Sequence, residues 1–202
     1  HQARTPLSSI LINAEMIKEL QKDDSLTTYI DSIDASISML SNSYEDLSYI
    51  ISYDTIEYNP SIISLTNLVN KRIDFFETIC RENLKNIEFN IQDDILTYIN
   101  IIENERIIDN NISNAIKYAF TEKPIYISLQ KSDQENQVIL EFKSYGDEIK
   151  DKEKIFNKNY REYESKRGLG LGLNIVKIIC DKYDISYHVS YKNKQNVFKY
   201  YI

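Results

Sequence analysis

The chain has 202 residues, 42% of them apolar and 27% charged, which excludes a disordered polymer and leaves room for one substantial domain plus a helical appendage. Its formal net charge of -7, with no basic stripe, excludes a nucleic-acid surface. No apolar run reaches the ~18–20 residues of a membrane span and nothing at the start reads as a signal peptide, so the expectation is a piece that is not itself membrane-embedded.

From the N-terminus, Ala3, Leu7, Ile10, Ala14 and Ile17 are spaced alternately four and three residues apart. After the polar stretch "QKDDS" at 21–25 the same alternation returns at Leu26, Ile30, Ile33, Ile37, Leu40, Tyr44, Leu47 and Ile51. A 3.5-residue repeat held this long predicts two helices packed along narrow seams. Such a hairpin buries its seam poorly alone, and two copies make a four-helix bundle, so a homodimer is expected. Asn59-Pro60 disfavours continuation of the helix and marks a boundary, giving a helical hairpin over 1–57 and a second domain over 58–202.

The second domain reads as an α+β sandwich. A helix is expected over 62–83, a strand over 86–91, and a second helix over 101–120. Alternating strands follow at Ile125, Ile127, Leu129 and at Val138, Leu140, Phe142. A charged stretch from Asp147 to Arg167 precedes a helix over 171–182 and paired strands near 185–191 and 197–202. The helices are expected on one face of a largely antiparallel sheet. Cys80 and Cys180, a hundred residues apart in apolar surroundings, read as core packing, and His188 as a structural strand residue.

Chemistry concentrates in two places. Only four glycines occur, and Gly168, Gly170 and Gly172 alternate with leucines in "RGLGLGLNIV", leading into a helix. Glycine there lets backbone approach a ligand, and the helix start offers unpaired N–H groups to phosphate. In "RIIDNNISNAIKYAF", Asn110, Asn114 and Lys117 fall at i, i+4 and i+7 on one helix face, opposite Ile108, Ile112, Ala115 and Ala119. Amide oxygens suit Mg²⁺ and an ammonium suits phosphate, so face and loop together could hold a Mg-nucleotide.

These stretches resemble the catalytic core of a two-component sensor histidine kinase over essentially the whole chain. "HQARTPLSSI" resembles the family's H box, "DNNISNAIKY" its N box, "IFNKNYR" its F box and "GLGLGLNIVK" its G2 box. The resemblance implies a dimerisation and phosphotransfer hairpin followed by an ATP-binding domain of the GHKL (Bergerat) type. It implies autophosphorylation on His1, transfer to an aspartate of a response regulator receiver domain, and the cofactors ATP and Mg²⁺. It further implies that Asn114 is the Mg²⁺ ligand with Asn110 assisting, that Lys117 and Arg161 face phosphate, and that Tyr118 stacks near adenine. Gly168, Gly170 and Gly172 would line the phosphates beneath a lid anchored by Phe156. Thr5 would orient water for dephosphorylating the partner. The chain would be the cytoplasmic portion of a membrane-attached sensor.

Three positions, in two of the boxes, depart from the family pattern. Its G1 box, Asp-x-Gly-x-Gly, supplies an Asp that reads the adenine amine; aligning Gly146 with the first glycine puts Ser144 at the Asp position and Glu148 at the second glycine. Losing a charge-assisted contact costs ~1–2 kcal/mol, so weak ATP binding is expected. Gln2 stands where an acidic residue commonly follows the histidine; an amide orients the ring but takes no proton, so slow autophosphorylation is expected. The alternative is a degenerate, non-kinase member acting as a dimeric regulator-docking module or phosphatase.

Overall fold

A computed structural model describes residues 10, 14, 17, 33, 44–51, 56–132, 137–160 and 170–202. The chain divides into two compact units, His1–Ile56 and Glu57–Ile202. In the first, Ile10, Ala14, Ile17, Ile33 and residues 44–51 are helical. Ala14 and Tyr49 are buried, whereas the heptad positions Ile10, Ile17, Ile33, Leu47 and Ile51 are exposed. The turn expected at 21–25 and the positions His1, Gln2 and Thr5 lie outside the described residues. No helix of the described residues is long and apolar enough to cross a membrane.

The second unit runs β1 (Ser61–Ser64), α1 (Leu65–Glu82), β2 (Ile87–Ile91), β3 (Leu96–Ile99), α2 (Ile101–Tyr118), β4 (Ile125–Lys131) and β5 (Val138–Tyr145). A 3₁₀ turn at Lys154–Phe156, α3 (Gly172–Lys182), β6 (Ser186–Lys192) and β7 (Gln195–Tyr201) complete it. Five strands form a sheet in the order β2-β4-β5-β7-β6, and β1 pairs separately with β3. Within the large sheet β2 and β4 are parallel and every other pairing is antiparallel. The crossover from β2 to β4 carries α2, as a parallel connection requires.

The helix expected from residue 62 begins instead at Leu65. Ser64 is extended, and its hydroxyl accepts a hydrogen bond from Asn67 N at 3.2 Å, so it caps the helix. Residues 61–64 are freed to pair with 96–99, a strand that the sequence did not announce. The remaining strands fall where alternation put them, within three residues at the ends.

The core lies between the helices and one face of the sheet, where Ile125, Ile127, Leu129, Leu140, Phe142 and Tyr200 are buried with Ile107, Ile108 and Ile112 of α2 and Ile175, Val176 and Ile179 of α3. Cys80 and Cys180 are free and buried. Burial pushes their thiols up to about 11 and about 12, so both act as packing residues. The start of α2 is pinned to the end of α3 by Glu103, fully buried, which receives Lys182 Nζ at 2.8 and 2.9 Å and the Tyr183 hydroxyl at 2.5 Å. The next residue, Asn104, is equally buried; its amide has no hydrogen-bond partner among the described residues, and nothing in the structure explains that cost.

Candidate functional site

Helix α2 forms one wall of the site. Asn100 caps it, its Oδ1 accepting from Ile102 N at 2.9 Å and Glu103 N at 3.3 Å. Its core stripe comprises Ile107, Ile108, Asn111, Ile112 and Ala115. Asn110, Asn114 and Lys117 are half-buried on the other side, as their spacing requires. Ala119, expected on the apolar side, is the cap residue that ends the helix. The Lys117 ammonium lies 5.0 Å from the centroid of the Tyr118 ring.

The three asparagines of "DNNISN" have different surroundings. Asn111 is buried, and its Nδ2 donates to Ile107 O and to the Tyr200 hydroxyl, both at 2.8 Å, while that hydroxyl donates to Asn111 Oδ1 at 3.0 Å. Asn111 thus ties α2 to β7 from within the core. Asn110 stands at the open face, its Nδ2 donating to Arg106 O at 2.9 Å.

The glycine loop meets this face. A Cβ added to Gly172 would overlap Asn110 Oδ1 and come within 3.0 Å of Asn110 Cγ, so glycine is what allows α3 to approach α2 there. Gly170 has φ 69°, in the left-handed region, and turns the chain into α3. Leu171, at the cap position, makes no side-chain cap bond, so the first turn of α3 has no cap from its own N-cap residue. Upstream, Phe156 is 2% exposed, its ring 4.6 Å from that of Tyr187, and its carbonyl accepts from Asn174 Nδ2 at 3.1 Å. Asn159 N donates to Gly170 O at 3.2 Å, joining the two ends of the intervening segment.

The far end of α2 meets the loop after β5. Phe120 N donates to Tyr145 O at 2.8 Å, and a Cβ on Gly146 would lie 3.4 Å from Tyr118 O. Ser144, half-buried, pairs with Ile125 on one side and Asn196 on the other. Glu148, at the second-glycine position, is exposed and paired with Lys152 at 3.0 Å. Asn196 was not singled out from the sequence, since one polar residue in a strand carries no signal by itself.

Asn110 and Tyr118 therefore mark two contacts on one helix, with Gly172 and Gly146 respectively. Eight residues of α-helix separate them by about 12 Å, a span suited to a nucleotide lying along the face. Among the described residues no cluster of three or more His, Cys, Asp or Glu could hold a metal ion. The Asn110 and Asn114 amides are oxygen donors of the kind Mg²⁺ accepts when phosphates supply other ligands. Gly168 and Arg161 lie outside the described residues. His188 is exposed on β6 and takes no part in the site.

A family model described as "Histidine kinase-, DNA gyrase B-, and HSP90-like ATPase" matches residues 100–200, the stretch from the α2 cap to β7. The sensor histidine kinase HprS of Escherichia coli (strain K12) is 28% identical over 206 residues, covering 98% of this chain and 44% of that protein. The chain spans about half the length of the curated relatives it matches. Among solved structures, full-length ShkA in complex with AMPPNP has a TM-score of 0.72 at 17% identity, over 100% of this chain and 43% of that one. Histidine kinase ThkA in complex with the response regulator protein TrrA has a TM-score of 0.68 at 22% identity, over 100% and 58%. At these identities the structural likeness carries the fold, a GHKL-type ATP-binding domain, and the likeness to sensor histidine kinases read from the four boxes is borne out.

Proposed function

We propose, because this chain belongs to the histidine kinase-, DNA gyrase B- and HSP90-like ATPase family, that it is the catalytic core of a two-component sensor histidine kinase. Its reaction is transfer of the γ-phosphoryl group of ATP to its own His1, and from there to an aspartate of a response regulator receiver domain. The observation that carries this reading is the pair of contacts on α2: Asn110 against Gly172 and Tyr118 beside Gly146.

In this reading ATP lies along α2 with its phosphates at the α3 end and its base at the β5 end. Asn114, with Asn110, offers amide oxygens to Mg²⁺, which when bound neutralises phosphate charge. Lys117 and Arg161 meet phosphate oxygens, and Gly168, Gly170 and Gly172 let backbone approach them. Tyr118 and Ser144 border the base. The His1 imidazole nitrogen forms the new N–P bond as the bond from the γ-phosphorus to the bridging oxygen breaks, and ADP leaves with that oxygen. Gln2 orients the imidazole, and Thr5 orients the water that dephosphorylates the regulator.

The regulator partner is supported by ThkA, whose solved complex holds a response regulator. A homodimer is supported by the exposed heptad residues of the first unit. HprS, named a sensor histidine kinase, supports reading this chain as the cytoplasmic portion of a membrane-attached sensor.

Incubation of the full chain with Mg-ATP, followed by mapping of acid-labile phosphate, tests the assignment. Phosphate on His1, lost in Asn114→Ala, is the expected outcome; an unlabelled wild-type chain refutes the kinase reading.

A further inference from the structure

We propose that Asn196 is a positioning residue for nucleotide recognition, its amide and the β6–β7 hairpin holding the loop over 146–149 as a fixed wall at the base end of the site. This rests on the nucleotide-site reading above. The loop leaves β5 with one glycine, Gly146, and carries Asp147 and Glu148 before Ile149. Left to itself such a segment samples many conformations, and ordering it on ligand binding would subtract from affinity.

Here the neighbouring hairpin orders it in advance. Gly146 N donates to Lys194 O at 3.2 Å, and the Tyr191 hydroxyl donates to Gly146 O at 3.3 Å. Asn196 Nδ2 donates to Asp147 O at 2.8 Å, and Asn196 Oδ1 accepts from Ile149 N at 3.2 Å. All four bonds come from three residues of one hairpin. At Gly146 the loop also rests against the end of α2, at Tyr118 and Ala119.

Asn196 is the centre of this arrangement. It is 7% exposed and sits directly across the ladder from Ser144. Its two bonds bracket Glu148, one donated and one accepted, which a side-chain amide can do and a carboxylate cannot. Lys194 contributes its carbonyl from a two-residue turn in which Asn193 and Lys194 have φ 52° and 62°. That is the left-handed pair a tight hairpin of this twist demands, here built without glycine.

The test titrates the whole 202-residue chain with Mg-ADP and, separately, with Mg-tripolyphosphate, which has phosphates and no base. Asn196→Asp keeps the acceptor for Ile149 N and replaces the donor to Asp147 O with an oxygen. It is expected to weaken Mg-ADP by about tenfold while tripolyphosphate stays within about twofold. Tyr191→Phe deletes one bond at a half-exposed position, keeps the fold, and is expected to weaken Mg-ADP by about two- to threefold with the same selectivity. If Asn196→Asp does not melt as a folded protein, Tyr191→Phe decides. Equal weakening of both ligands, or unchanged Mg-ADP affinity, in a folded variant overturns the proposal. Failure of the wild-type chain to bind either ligand overturns the nucleotide-site reading itself, and this inference with it.

Discussion

Gly172 shows how one atom sets the geometry of the site. Its missing Cβ lets α3 start against the Asn110 amide, and the added methyl of Gly172→Ala would lie well inside contact distance of Asn110 Oδ1. The Asn110 side chain is short and held by its bond to Arg106 O, so it must leave its place, giving up that bond. We expect Gly172→Ala to reduce Mg-ADP affinity about tenfold or more while unfolding stability changes by about 1 kcal/mol or less, since the helix gains propensity as the bond is lost. Calorimetric binding and thermal melts on the same samples check both halves; unchanged affinity contradicts the placement of Asn110. Spacing along the helix was enough to put Asn110, Asn114 and Lys117 on one face. It could not separate Asn111 from its neighbours by type, because the group that satisfies the Asn111 amide, the Tyr200 hydroxyl, lies 89 residues away.

Between elements, α1 and α2 are joined by a bidentate ion pair, Arg72 Nε to Asp109 Oδ1 at 2.6 Å and Arg72 Nη2 to Oδ2 at 2.7 Å. The guanidinium also lies 4.5 Å from the Phe75 ring centroid and 5.6 Å from that of Phe76. Burial outweighs the arginine and pushes the Asp109 carboxyl up from 3.8 to about 6. A folded state that holds this proton more tightly than the unfolded chain draws stability from it in full below pH ~4, and loses that contribution as pH rises through about 6. Asp109→Asn removes the titration, so its melting temperature should fall less than that of the parent between pH 4 and pH 6. Parallel profiles would show that Asp109 contributes nothing in that window. Among the elements, α2 was legible because eighteen residues repeat one period, and the sheet strands because they alternate. Strands β1 and β3 were not: four residues each, with apolar side chains on both faces, give no period to read.

For the molecule as a whole, five of the described heptad residues of the first unit, Ile10, Ile17, Ile33, Leu47 and Ile51, are open within one chain. Ile10 is 47% exposed, Ile17 50%, Ile33 47% and Ile51 70%, whereas Ala14 and Tyr49 are buried. Apolar residues exposed at seam positions call for a second copy, since a two-fold bundle offers each seam an identical partner. Light scattering of the nucleotide-free chain should return twice the mass of one chain, and Leu47→Glu with Ile51→Glu should shift it toward one; a monomeric parent would refute the dimer. The sequence by itself determined the order and type of most elements, the polar face of α2 and the glycines before α3, because each is a local pattern repeated within one or two turns or strands. Only the tertiary structure decided which groups meet: Gly172 with Asn110, Gly146 with the end of α2, Asn196 with the loop after β5, and Asn111 with Tyr200. Those contacts join residues tens of positions apart, and the packing of helices onto the sheet, which leaves no periodic mark on the chain, is what brings them together.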